Sequence, residues 1–214
     1  MLTIDYPPST PPPVSLKLFS NLPEQIATHL RIRILSGQLA PGTPFREETL
    51  AQEFGVSRGP IRDALLTLTK EGLLHARPNV GVRVADEPSA FKREVIVRVR
   101  REIEAAAVTA WMAQPEPQLL THLNANLADY KRACTANDFS RVVELDMAFH
   151  RLLVESAEGG ALVALWLPVI LQMYLRYSRH RKLLESYREH LAIVAAMEAG
   201  ARRNAVELLK LHIV

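Results

Sequence analysis

The stretch Phe45–Gly72, FREETLAQEFGVSRGPIRDALLTLTKEG, decides how the first half of this chain folds. Leu50, Ala51 and Phe54 place apolar side chains on one face of a short helix over 47–54. Gly55 suits the turn that follows, Val56 points inward, and Ser57 is the residue type that caps a helix N-terminus. Pro60 sits in the next first turn, where its missing N–H has no intrahelical partner to lose. Ile61, Leu65, Leu68 and Thr69 then repeat helically until Gly72 ends the second helix. Two helices joined by a short glycine turn make a helix-turn-helix, whose second helix offers its N-terminal residues to the major groove of DNA. Those residues are Ser57, Arg58 and Arg62. The two arginines are four apart, so their guanidinium groups leave one face and reach base edges or phosphates together.

Working outward, Ile26, Leu30, Ile34 and Leu35 predict a preceding helix that stops at Gly37, before a turn at Ala40-Pro41-Gly42-Thr43. After Gly72, the short apolar runs Leu73–Ala76 and Gly81–Ala85 flank a turn containing Pro78-Asn79 and predict a β-hairpin wing. Three helices and a wing make a winged-helix unit.

The words Ile34-Leu35-Ser36-Gly37-Gln38-Leu39-Ala40-Pro41-Gly42, Leu50-Ala51, Gly55-Val56-Ser57-Arg58, Pro60-Ile61-Arg62, Ala64-Leu65 and Glu71-Gly72-Leu73 resemble the DNA-binding domain of the GntR family of bacterial transcription regulators. The resemblance covers about 16–86. It implies that Arg58 and Arg62 contact DNA and that the wing near Asn79–Gly81 approaches the minor groove. Two positions depart from the family pattern. Gly59 stands where many members carry a hydroxyl, leaving a phosphate to the backbone N–H at the helix N-terminus. Glu48 stands where some members carry arginine.

The chain has 214 residues, 48% of them hydrophobic, enough for two modest cores. A net charge of +3 is too small for a general polycationic binder, so DNA affinity requires local arginines and a homodimer. No apolar run reaches the roughly eighteen residues of a membrane span, and no signal segment is visible, which predicts a cytoplasmic protein. The single cysteine, Cys134, excludes an internal disulfide framework and reads as a buried or merely tolerated thiol, not a sensor. Residues 1–15 hold five of the fourteen prolines and predict an extended arm; 87–92 reads as a linker.

From 93 to the end the pattern is helical throughout, broken at Pro115–Pro117, Asn137-Asp138, Gly159-Gly160 and Gly200. It predicts an all-α bundle of about six helices, near 91–113, 117–135, 139–156, 161–178, 184–199 and 202–214. In 139–156 the apolar arc is unusually wide. Val142, Leu145, Phe149, Leu152 and Leu153 form one side of it, and Val143, Met147 and Val154 the other. Asp146 and His150 lie inside the arc, one helical turn apart. His190 falls among Tyr187, Ile193, Val194 and Met197, and His212 among Ala205, Leu208 and Leu209. Buried imidazoles and carboxylates are costly unless paired or coordinated. Three of the seven histidines and one carboxylate, brought inward by three helices, suit one divalent transition metal ion such as Zn²⁺, Ni²⁺ or Mn²⁺. Any one of these histidines alone reads more simply as a satisfied core residue.

The segment Asp146-Met147-Ala148-Phe149-His150, with Glu189-His190 and His212, resembles the FCD effector domain of the FadR-type branch of the GntR family. That resemblance implies Asp146, His150, His190 and His212 as metal ligands. On the first bundle helix, Arg100 and Glu104 fall within the arc of Ile96, Val97, Val99, Ala107, Val108 and Trp111. Two roles remain open for them, an intrahelical ion pair and an effector pocket in which Arg100 grips a carboxylate. The chain ends two residues after His212, which predicts a frayed last turn.

Together these observations predict a repressor of operator DNA, not an enzyme, controlled by a small carboxylate-containing effector at a metal site. Two alternatives stand beside it: a regulator for which the ion itself is the signal, and a metal-dependent hydrolase.

Overall fold

The computed structural model describes residues 21–77, 81–157, 160–175 and 182–214. The expected proline-rich arm over 1–15 and wing-tip Asn79 lie outside these residues. The first unit holds α1 (Leu22–Leu35), β1 (Pro44–Phe45), α2 (Glu47–Phe54), α3 (Arg58–Lys70), β2 (Leu74–Arg77) and β3 (Gly81–Val84). Ile26, Leu30 and Ile34 of α1, Leu50 and Phe54 of α2, and Ile61, Leu65 and Leu68 of α3 pack into one apolar cluster. Gly55 adopts the left-handed conformation, φ 66°, that lets α2 end and α3 begin within three residues. Ser57 takes the extended N-cap conformation, without a side-chain hydrogen bond.

The wing is the antiparallel pair β2 and β3, with Leu74 opposite Val84 and Arg77 opposite Gly81. It is not a free hairpin. Pro44 and Phe45 pair with Arg83 and Val82, making a three-stranded sheet in the order β1-β3-β2. Two residues carry no periodicity, so β1 left no trace in the sequence pattern.

The second unit holds α4 (Ala90–Ala113), α5 (Pro117–Ala136), α6 (Phe139–Glu155), α7 (Val163–Tyr174), α8 (Leu183–Glu198) and α9 (Arg202–His212). Helix α4 starts three residues inside the expected linker because Ser89 caps it, its Oγ accepting from the Lys92 N–H at 3.3 Å. Helix α7 is shorter than the expected 161–178, and 176–178 fall outside the described residues. The last turn is not frayed. Ile213 is fully buried and its carbonyl accepts from Arg101 Nε at 2.9 Å.

The wide arc of α6 has a simple cause: α6 is buried on two sides. Phe149 and Leu153 pack into the bundle core with Leu123, Ile193 and Leu209. Val143 and Val154, with Met147 partly buried, join Trp166, Ile170 and Tyr174 of α7 in the same cluster as the winged-helix core. Asp146 and His150 lie between these two packed faces.

Candidate metal centre and DNA-reading helix

Asp146 and His150 come from α6, His190 from α8 and His212 from α9, and all four are buried. One ligand atom from each lies within 4.8 Å of those from the others. His150 Nε2 is 3.1 Å from His212 Nε2, and His190 Nε2 is 3.3 Å from an Asp146 oxygen. Ligands about 2.1 Å from a common ion at right-angle or tetrahedral positions are spaced roughly 3.0–3.4 Å apart; these two pairs have that spacing, while His150 Nε2 lies 4.0 Å from Asp146 Oδ2.

Each imidazole is held at its other nitrogen. His150 Nδ1 is 2.7 Å from Glu104 Oε2, His212 Nδ1 is 2.8 Å from Glu189 Oε2, and His190 Nδ1 donates to the Ser186 carbonyl at 2.8 Å. These contacts turn the three Nε2 atoms toward one point and fix the tautomer that presents a lone pair there. The carboxylate is held too. Tyr130 Oη donates to Asp146 Oδ1 at 3.1 Å, and Tyr174 Oη donates to Oδ2. Burial opposes ionisation of Asp146, but the neighbouring His190, His150 and His212 and the more distant Arg100 outweigh it, holding the carboxyl below its ordinary range.

Arg100 and Glu104 do form the intrahelical ion pair, Nε to Oε1 at 2.7 Å, with both side chains buried. Glu104 is engaged on both oxygens, because Oε1 also accepts from Trp166 Nε1 at 2.7 Å while Oε2 faces His150. Arg100 Nη1 points at Met173 Sδ, 3.3 Å away. Its Nη2 is buried and meets no hydrogen-bond acceptor among the described residues.

Sequence reasoning missed Tyr130, Tyr174, Trp166 and Glu189 as supports of this cluster. An aromatic on an apolar stripe looks like plain core. Glu189 meets His212 only because α8 and α9 pack together, 23 positions apart in the chain. Cys134 is buried as expected; burial first and then Asp146 push its thiol up to about 11, so it stays protonated and unreactive at neutral pH.

On the other unit, Ser57, Arg58, Gly59 and Arg62 are exposed at the start of α3, and exposed Gly81 opens β3. The two arginines share a face but are not idle. Arg62 forms a two-pronged pair with Glu47, Nε to Oε1 and Nη2 to Oε2 both at 3.0 Å, and Arg58 Nη2 lies 3.2 Å from Glu48 Oε1. Both glutamates begin α2, so the first turn of α2 pairs with the two arginines at the start of α3.

Residues 22–84 match the family described as "Bacterial regulatory proteins, gntR family", and residues 95–214 match the "FCD domain". The chain belongs to the GntR family, in its FCD branch. It is 32% identical over 132 residues to the uncharacterized HTH-type transcriptional regulator YdhC of Bacillus subtilis, covering 61% of this chain and 58% of that protein. It is also 32% identical to the HTH-type transcriptional repressor RspR of Escherichia coli, covering 63% of this chain and 59% of the repressor. The chain therefore spans little more than half the length of these relatives. In fold it resembles E. coli McbR/YncC, with a TM-score of 0.77 and 22% identity, covering 91% of this chain and 94% of that one. The matched N-terminal domain is that of bacterial regulatory proteins, and both relatives above are transcription regulators by name. Among the described residues no helix is long and apolar enough to cross a membrane.

Proposed function

We propose that this GntR-family protein is a repressor whose operator affinity is set by a small carboxylate-containing molecule bound beside a divalent transition metal ion in the FCD domain. Asp146, His150, His190 and His212 hold the ion, which when bound supplies positive charge and open coordination positions for an oxygen ligand. Arg100 grips the ligand's carboxylate, while Glu104 orients His150 and Arg100 at once. The observation that carries this is the convergence of four buried donors whose remaining polar atoms are already engaged. The buried Arg100 Nη2 supports the anion half, because a carboxylate satisfies it where nothing described now does.

A DNA-binding domain over 16–86 and an effector domain over 93–214 are joined by 87–92, whose last three residues belong to α4. Two copies read a two-fold operator through Ser57, Arg58, Gly59 and Arg62, with Asn79 and Gly81 of the wing at the minor groove. Occupancy of the FCD site shifts the balance between two arrangements of the reading heads.

Elemental analysis of protein purified without chelator tests the metal. About one ion per chain is expected, with loss of it in Asp146→Ala. Less than about a tenth of an ion, with no thermal shift on adding Zn²⁺, Ni²⁺ or Mn²⁺, leaves four ordinary core residues and overturns the reading. Operator affinity measured against free metal, with and without small dicarboxylates, separates an organic effector from a signal carried by the ion itself.

A further inference from the structure

Helix α7 touches both halves of the molecule within a single turn. On its bundle side, Tyr174 Oη donates to the Asp146 carboxylate and Met173 Sδ lies against Arg100. On its other side, Gln172 Nε2 donates to the carbonyl of Gly72 at 2.7 Å, just beyond the end of the DNA-reading helix α3. The same amide's Oε1 accepts from Lys92 Nζ at 2.8 Å, at the start of α4. Gln172 thus ties α3, α4 and α7 at the junction of the two units.

Gly72 is suited to this contact in two ways. Its φ is +75°, a conformation that L side chains rarely adopt. A Cβ there would also stand 2.6 Å from Gln172 Nε2, so a side chain would push the amide away.

The hydrogen-bond ladder of α7 is interrupted ahead of its last turn. Pro168 lies inside the helix and removes the N–H that would bond the Ala164 carbonyl, a weak point between Trp166 and Gln172. Beside the turn, a cleft of about 270 Å³ is lined by Leu35, Leu39 and Val84 of the first unit and by Tyr174 and Leu175. Tyr174 is therefore a wall of the space between the units and a support of the candidate metal ligand at once.

We infer that the last turn of α7 is the arm that couples the metal site to the DNA-reading helix, with Tyr174 sensing the state of Asp146 and Gln172 passing the shift to Gly72. This rests on the metal reading given above. An ion on Asp146 Oδ1, the oxygen that faces His190 at 3.3 Å, draws charge from the carboxylate and weakens the hydrogen bond that Tyr174 donates to Oδ2. Moving Tyr174 moves Gln172 two residues earlier in the turn, and with it the anchor of α3.

Hydrogen exchange followed segment by segment on the full chain, with and without Zn²⁺, tests the arm without needing the operator. Slower exchange in α6, α8 and α9 reports occupancy, and exchange at the end of α3 and the start of β2 reports the coupling. In the parent both respond, the α3 segment by at least about fivefold. Gln172→Glu keeps the acceptor for Lys92 but replaces the donor to Gly72 with a repelling oxygen. It is expected to keep the bundle response and to lose the response in α3. Gln172→Ala, which adds no charge, is expected to do the same. A full α3 response in both variants overturns the arm and leaves the metal reading standing. So does a parent whose bundle responds while α3 does not. A parent whose bundle is silent removes the metal reading and the arm together.

Discussion

The two charged sites of this molecule are built from the same groups in opposite surroundings. On α3, Arg58 and Arg62 pair with Glu48 and Glu47 in open water, with the arginine side chains 59% and 64% exposed. In the bundle, Arg100 pairs with Glu104 at 4% and 0% exposure, and Glu104 in turn holds His150. Exposed ion pairs contribute little and exchange partners readily, which suits the proposal that these arginines leave a glutamate for a phosphate or a base. Buried pairs are costly to form and far more costly to break, which suits residues that must stay in place. Location decides whether a salt bridge is a latch or a frame.

The largest expected effect comes from breaking the frame. Glu104→Ala leaves a buried guanidinium without its carboxylate and His150 without its Nδ1 partner, so unfolding free energy should fall by about 3–5 kcal/mol. Chemical denaturation of the metal-free protein measures this; a loss of less than about 1 kcal/mol would show that Arg100 is rescued by water. Next is Glu189→Gln, which keeps the shape of the support for His212 but weakens its basicity. Affinity for Zn²⁺ or Ni²⁺ should drop by about 10–100-fold in a calorimetric titration, with folding intact. An unchanged affinity would place Glu189 outside the site.

Breaking the latch acts on DNA and not on folding. Arg58→Ala or Arg62→Ala should weaken specific operator binding by roughly five- to a hundredfold at matched salt, and leave the melting temperature nearly unchanged. Glu47→Gln sharpens the comparison, because it frees Arg62 without touching it. A few-fold gain in DNA affinity is expected in a salt-controlled gel-shift assay. A loss would mean that Glu47 positions Arg62 for DNA and does not hold it back.

The smallest effect is at His29, which stacks edge-on against Phe54 with ring centroids 5.4 Å apart. Burial first, and then Arg33, lower its pKa below the ordinary 6.5. The folded state therefore binds that proton less readily than the unfolded state. Stability associated with neutral His29 is fully present above pH 6.5 and is lost as pH falls through the lowered folded value. His29→Gln should flatten the stability profile in that window relative to the parent. Parallel profiles for the two proteins would show that His29 carries no such linkage.

What was legible in the sequence follows from what repeats locally. The helix-turn-helix was readable because Leu50, Phe54, Ile61, Leu65 and Leu68 keep helical spacing on either side of a glycine. The candidate ligands were readable because a polar residue inside an apolar arc is a conflict that needs a reason, and Asp146 and His150 show it within one helix.

The sequence by itself determined the element types apart from β1, the two-unit order, and that Arg100, Glu104, Asp146, His150, His190 and His212 point inward. Only the tertiary structure decided what those side chains meet. Glu104 reaches His150 from 46 positions away, Tyr174 reaches Asp146 from 28, and Gln172 reaches Gly72 from 100. It also decided that Arg58 and Arg62 rest on glutamates of the preceding helix, and that α6 has two buried faces because α7 and the winged-helix unit pack on its back. Helical periodicity records only which way a side chain faces along its own axis; its partner is set by which helices lie beside it.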